Sequence, residues 1–282
     1  MKEKVRRISH ARIASFMRYL AENEKSRATC NKYLHDLRHF YAAMENGEVS
    51  RSRVLAYKEQ LGASYAPASA NSMLAALNGF FRFLGWQDLC VRRFRIQRDA
   101  YCKAEKELTR EEYVRLLSVA KGQGRERLYL IIESICGTGI RVSELRHITV
   151  EAVLGGEACV RCKGKMRRVL IPPALRRKLL AYIQKEGRTE GSVFVTKSGA
   201  PVNRSNIWRD MKSLCREAGV LPSKVFPHNL RHLFARTFYG IERDIAKLAD
   251  VLGHTSIETT RVYIMTSGEE HKRALQRMHL IL

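Results

Sequence analysis

Residues 227–235 read PHNLRHLFA and residues 252–264 read LGHTSIETTRVYI. In the first stretch Pro227 sits at a helix edge, where its missing N–H costs nothing, and His228 and Arg231 follow three apart, so both aim at one point. In the second, Leu252-Gly253-His254 precedes a helix capped by Thr255 or Ser256, with Glu258 three residues after Thr255. Tyr263 falls about two turns into that helix, and Ile257 and Ile264 give it an apolar face. Two upstream strings share this character: GTGIRVSEL at 137–145 and VRCKGKMRRVLIP at 160–172. In chain order the polar series is Arg141, Lys163, His228, Arg231, His254, Tyr263. Guanidinium, ammonium and imidazole donors stabilise the extra negative charge of a phosphodiester under attack by a tyrosine oxygen, and they do so without a metal.

The rest of the chain sorts around these strings. Residues 1–95 read as helical throughout. Tyr33, Leu34, Leu37, Phe40, Tyr41 and Met44 recur at helical spacing, as do Met73, Leu74, Leu77, Phe80, Phe81 and Leu84. Asn46-Gly47, and Gly62 followed by Pro67, mark loops, so the spacing predicts a bundle of about four helices. The aromatics at this spacing read as core rather than as a base-stacking platform. VRRFRIQRDAYCKAEKE is charged and aperiodic, and residues 96–107 are read as a linker. Thr109 and Glu112 form a capping box that opens a second domain, 108–282. A helix with Leu128, Ile131, Ile132 and Ile135 on one face then ends at Gly137 and Gly139. Residues 157–171 alternate like a hairpin turning at Lys163-Gly164, and Ser192–Thr196 is a short strand candidate. The fold class expected is mainly α with a small β-hairpin. The last residues, with Ala274, Leu275, Met278 and Ile281 in a stripe, read as a tail helix.

Composition narrows the partners. The chain of 282 residues carries 51 basic and 28 acidic side chains, a net charge of +23. Residues 1–99 hold 18 basic and 9 acidic, and the remainder 33 and 19, so both halves suit a polyanion. Charge alone also fits a ribosomal or other RNA-binding protein. No stretch is apolar for the roughly 20 residues that a membrane span needs. Seven scattered cysteines argue against a disulfide framework and for a reducing compartment, so a cytoplasmic location is expected. Cys159 and Cys162 form a lone CxxC on strand-like sequence, where three-residue spacing puts side chains on opposite faces. His228 and His232 have zinc-like i, i+4 spacing, but no acidic residue is near to complete a site. No metal and no cofactor are therefore expected.

Taken together, the four strings resemble the boxes of the tyrosine recombinase (lambda-integrase) family, and the length resembles its small Xer-type members. The resemblance is strong after residue 100 and weak before it. It implies a two-domain, C-shaped DNA clamp, with residues 1–95 as a SAM-like core-binding domain and 108–282 as the catalytic domain. An Arg–Glu pair alone would read as a surface salt bridge; the box makes Arg141 a phosphate ligand and Glu144 its orienting partner. A basic hairpin alone would read as a phosphate clamp; the family's Lys-Gly step makes Lys163 the proton donor to the leaving 5′ oxygen, with Lys165 as the alternative. Nothing in spacing alone selects Tyr263 from the other tyrosines. The resemblance makes it the nucleophile, forming a 3′-phosphotyrosine and a free 5′ hydroxyl, with His228, Arg231 and His254 on the phosphate.

The implied function is site-specific DNA recombination through a Holliday junction. A type IB-like topoisomerase and a silent DNA-binding regulator on the same fold are the alternatives. The implied partners are double-stranded DNA with inverted-repeat core sites, a homodimer per site and a homotetramer per synapse, the tail helix being donated to a neighbouring protomer. An accessory DNA-bending protein is a further candidate partner, and a nucleoid-associated place in a prokaryotic cell is expected. The target sequence, and the choice among integration, excision, inversion and dimer resolution, are not written in these motifs.

Overall fold

A computed structural model describes residues 4–96, 107–162, 165–264 and 276–278. The chain divides into two compact units, Met1–Arg98 and Asp99–Leu282. Both are predominantly helical.

In the first unit α1 (His10–Glu22), α2 (Arg27–Ala42), α3 (Arg51–Ser64) and α4 (Pro67–Phe83) surround one apolar core. Ser9, Ser26 and Ser50 cap the first three helices by accepting from Arg12, Thr29 and Arg53 N–H groups, and Pro67 opens the fourth. Phe16, Phe40, Phe80 and Phe81 are fully buried, with Phe16 and Phe80 ring centroids 5.4 Å apart. The expectation of helix throughout needs one correction. Two-residue strands β1 (Arg6–Arg7) and β2 (Glu48–Val49) pair antiparallel, because the turn at Asn46-Gly47 brings the chain back beside its start. Two residues per strand leave no alternation for a pattern to reveal.

The second unit opens with α5 (Arg110–Gly122), whose Thr109–Glu112 capping box forms as the sequence predicts. α6 (Glu126–Thr138) follows, then a short 3-10 helix over Val142–His147, α7 (Val150–Gly155) and the hairpin strands β3 (Glu157–Cys162) and β4 (Lys165–Leu170). Arg141 thus caps the start of a 3-10 turn. The strands pair from Glu157↔Leu170 to Cys162↔Lys165. The remaining helices are α8 (Pro173–Lys185), α9 (Arg204–Ser213), α10 (Cys215–Ala218), α11 (Pro227–Glu242), α12 (Ile245–Leu252) and α13 (Ile257–Ile264). The strand expected at Ser192–Thr196 is instead two isolated bridges, Thr149↔Ser192 and Val195↔Pro201. Its apolar residues Val193 and Phe194 are buried, but Val193 donates to Ile148 and Phe194 accepts from Val202, so no single partner runs alongside.

The main core of this unit lies among α5, α6, α8 and the hairpin. Ala235, Leu248, Leu252 and Tyr263 form a separate, smaller cluster joining α11, α12 and α13. Among the described residues no helix is long and apolar enough to cross a membrane. Most of the linker reading (97–106) and of the tail helix lies outside the described residues; of the tail, residues 276–278 are described and Met278 is exposed.

Candidate active site

Five of the six side chains singled out by the sequence, Arg141, His228, Arg231, His254 and Tyr263, meet where the start of α11, the end of α12 and α13 face the turn after α6. That turn is made by Gly139, left-handed at φ 64°. A Cβ there would lie 2.5 Å from the Phe234 ring, so glycine is required both by backbone and by space. The turn places Arg141 at the rim and points the Gly139 carbonyl inward, where it accepts from Arg231 Nη1.

Arg231 is 1 % exposed. Its Nη2 donates to the Leu252 carbonyl at 2.7 Å and to His254 Nε2 at 2.9 Å, and Nε is buried without an acceptor among the described residues. Burial, aided by the Arg141 charge and opposed by Tyr263, pulls the guanidinium down to about 10, so it stays charged at neutral pH. A buried cation tied only to neutral groups is costly, and an anion brought to it would relieve that cost.

The partners of His254 fix its tautomer. Arginine only donates, so Nε2 must accept from Arg231; Nδ1 then carries the hydrogen and donates to Thr260 Oγ1 at 2.9 Å. Thr260 is fully buried and lies one turn before Tyr263 on α13, which ties the imidazole to the tyrosine helix. Burial, then the charges of Arg231, Arg141 and Arg167, holds His254 down to about 4. His232 is pushed to about 4 by burial and its His228 and Arg231 neighbours, and His228 is lowered by burial and by Arg231, Arg204 and Arg141. All three imidazoles are neutral at pH 7 in this state.

Tyr263 stands within this ring of nitrogen groups. Its ring centroid is 4.3 Å from His232, 5.2 Å from His254 and 5.3 Å from His228, and Arg231 Cζ is 5.9 Å from it. His232 stacks nearly parallel on the tyrosine, at 25°. A cavity of about 440 Å³ opens beside it, lined among others by Arg141, His228, Arg231 and Tyr263.

Arg141 is 34 % exposed and so free to meet a ligand, while Glu144 holds it from below. Glu144 accepts from Arg141 Nη1 at 2.9 Å and from its main-chain N–H at 3.0 Å, and from Arg167 Nη2 at 2.6 Å. Burial would raise this carboxyl, but the two Arg141 hydrogen bonds and the Arg167 charge outweigh it and hold it below the usual carboxylate range. Arg167 is one residue that sequence reasoning missed. From β4 it bonds Glu144 on one side and the Val251 carbonyl, at 2.6 Å, on the other, linking the hairpin to the loop before His254. Gly253, at φ 64°, belongs to this joint, since a Cβ there would collide with the Arg167 side chain. Thr260 was missed as well. Lys163 and Gly164 lie outside the described residues, and β4 resumes directly after them at Lys165. Cys159 is a free, exposed cysteine, and among the described residues no three His, Cys, Asp or Glu side chains cluster as metal ligands.

Comparison with known proteins gives this geometry its relatives. Residues 106–270 match the phage integrase family, and residues 13–88 match the phage integrase N-terminal SAM-like domain. Tyrosine recombinase XerA of Pyrococcus furiosus is 30 % identical over 95 % of this chain and 94 % of its own. Among solved structures, a lambda integrase dimer bound to a COC′ core site superposes with a TM-score of 0.73 at 17 % identity, over 93 % of this chain and 78 % of that one. A lambda integrase tetramer bound to a Holliday junction gives 0.71 at 18 %, over 90 % and 76 %. The chain belongs to the phage integrase family, the tyrosine recombinases.

Proposed function

We propose that this protein is a site-specific DNA recombinase that cuts and rejoins strands through Tyr263. The observation that carries the reading is the packing of one tyrosine against Arg231, His228, His232 and His254, with Arg141 at the mouth of the same cavity. A scissile phosphate entering that cavity meets the exposed guanidinium of Arg141 and the buried one of Arg231, which together neutralise the charge that grows on its non-bridging oxygens. His228 and His254 complete the cradle. His254 Nε2 accepts from Arg231 in the DNA-free state; the phosphate anion favours a proton there, turning the acceptor into a donor.

Attack by the Tyr263 oxygen on phosphorus, its phenolic proton passing to one of the neutral imidazoles that face its ring, forms the tyrosyl ester and breaks the bond to the 5′ oxygen. That oxygen leaves with a proton from Lys163, so the ester energy stays in the enzyme bond. A 5′ hydroxyl from another strand reverses the step and completes an exchange. Glu144 and Arg167 position Arg141 and the hairpin that leads to Lys163. The solved lambda integrase complexes are a dimer on a core site and a tetramer on a junction; the same stoichiometry, on inverted-repeat double-stranded DNA, is proposed here. Residues 1–95 then act as the core-binding domain, 96–107 as linker and 108–282 as the catalytic domain, in the cytoplasm and on the nucleoid.

Incubation with supercoiled plasmids bearing candidate inverted-repeat sites tests the reading. A covalent protein–DNA adduct with joined products is expected. Relaxation without joined products would make the protein a type IB-like topoisomerase, and binding without adduct a regulator.

A further inference from the structure

The cavity beside Tyr263 extends beyond the groups that the chemistry uses. Its far wall is formed by Arg204 and Trp208 of α9, four residues apart and on one face of that helix. Ile207 and Met211, on the adjoining part of the same helix, are buried in the core. Trp208 is 49 % exposed, a large apolar surface left open in the wall of the cavity. Lys212, the next residue in the row, holds its amino nitrogen 5.4 Å from the indole centroid while donating to the Pro222 carbonyl. That contact steadies one side of the ring. Arg204 is exposed and makes no hydrogen bond or ion pair within the described residues, yet its charge reaches His228. A cation in the first turn of a helix opposes the helix dipole, so Arg204 does not serve the stability of α9. An exposed indole between two cations, continuous with a phosphate site, fits a nucleotide: a base stacks on the ring and its phosphate pairs with the guanidinium.

We propose that Arg204 and Trp208 form a subsite for the deoxynucleotide next to the scissile phosphate, Trp208 stacking on its base and Arg204 pairing with its own phosphate. This rests on the recombinase reading above and deepens it. Once a strand is cut, the bases beside the break must leave their stack before they can pair elsewhere. An aromatic platform next to Tyr263 lowers the cost of that unstacked state, and because every base has a π-face it does so for any sequence.

The chain has two tryptophans, so a Trp86→Tyr background leaves Trp208 as the sole indole reporter. The probe is a core-site duplex recovered by binding selection from a random-sequence library, nicked so that the cleaved strand cannot religate. Indole fluorescence should be quenched as the covalent complex forms. In the same duplex, an abasic nucleotide placed on one side of the scissile phosphate should weaken binding about tenfold for the tryptophan protein and leave Trp208→Ala unaffected. Arg204→Gln should lower the slope of log affinity against log salt by about one. If the fluorescence is unchanged, and Trp208→Ala and its parent lose equal affinity at abasic positions on both sides while the tyrosyl adduct still forms, the subsite is wrong and the recombinase reading stands. If the parent forms no adduct at all, that reading fails and takes the subsite with it.

Discussion

The two units of this molecule bury different things. The N-terminal unit buries aromatic rings: Phe16, Phe40, Phe80 and Phe81 fill its centre, and its buried charge, Asp36, is paired with Lys32 at 2.6 Å. The C-terminal unit keeps a conventional apolar core too, but beside it buries Arg231 and Glu144, the one tied to carbonyls and an imidazole, the other clamped between two arginines. Apolar burial stabilises without direction. Buried charge is worth its cost only when its geometry serves something else, here a preorganised place for a phosphate. Tyr263 lies on a small cluster with Ala235, Leu248 and Leu252, apart from the main core.

This contrast can be broken at several points. The largest effect is expected at the reacting atom: Tyr263→Phe should abolish adduct formation while DNA affinity stays within about twofold, since one hydroxyl is lost from an otherwise unchanged ring. A persistent covalent band on a denaturing gel would refute the assignment. Next come the two arginines. Arg141→Ala and Arg231→Ala should each slow cleavage on the order of 10²–10³-fold, the scale for losing one preorganised donor. They should part company in stability. Arg231→Ala leaves the buried Gly139 and Leu252 carbonyls unpaired and should cost about 1–3 kcal/mol, whereas Arg141→Ala leaves Glu144 held by Arg167 and should cost under about 1 kcal/mol. Equal denaturation midpoints for the two variants would erase the distinction between buried and rim arginine.

Arg167→Ala should reduce cleavage about tenfold by loosening Arg141 and the loop before His254, and Arg167→Lys, lacking the fork that spans two acceptors, should not restore it. Full rescue by lysine would reduce Arg167 to a local charge. Phe80→Ala sharpens the contrast from the other side: about 3–5 kcal/mol of stability lost, with the single-turnover cleavage rate of saturated complex unchanged. The smallest effect is on pH. His232 and His254 are depressed in the folded state to about 4, below the unfolded value near 6.5. The unfolded chain therefore binds more protons between those limits. Stability of the DNA-free protein is fully present above about pH 6.5 and falls as pH drops toward 4. A melting temperature flat from pH 7 to pH 4.5 would contradict the neutral, buried imidazoles.

How much of this could be read beforehand follows from what each residue contacts. Arg141, His228, Arg231, His254 and Tyr263 stand in short strings whose helix starts, glycine turns and spacing are local; the structure puts Arg141, His228, Arg231 and Tyr263 around one cavity and His254 against the Tyr263 ring. The four helices of the first unit and the capping box at Thr109 are local for the same reason. Arg167 was hidden because it sits in the run Lys165-Met166-Arg167-Arg168, which reads as a phosphate-binding hairpin, while its partners Glu144 and Val251 are 23 and 84 residues away. Thr260 was hidden because a threonine in a helix carries no signal until an imidazole is placed against it. The β1–β2 pair and the bridges at Ser192 and Val195 are too short to leave a period in the sequence.

The choice of nucleophile among eleven tyrosines is where the chemistry is most directly exposed. A nicked suicide substrate traps the covalent intermediate; protease and nuclease digestion followed by mass spectrometry then locates the nucleotide-bearing residue. Recombination through the cavity beside Arg231 requires a 3′-phosphonucleotide on Tyr263, formed at the same yield with and without a chelator. An adduct on another tyrosine, or one that forms only with a divalent cation, would contradict it.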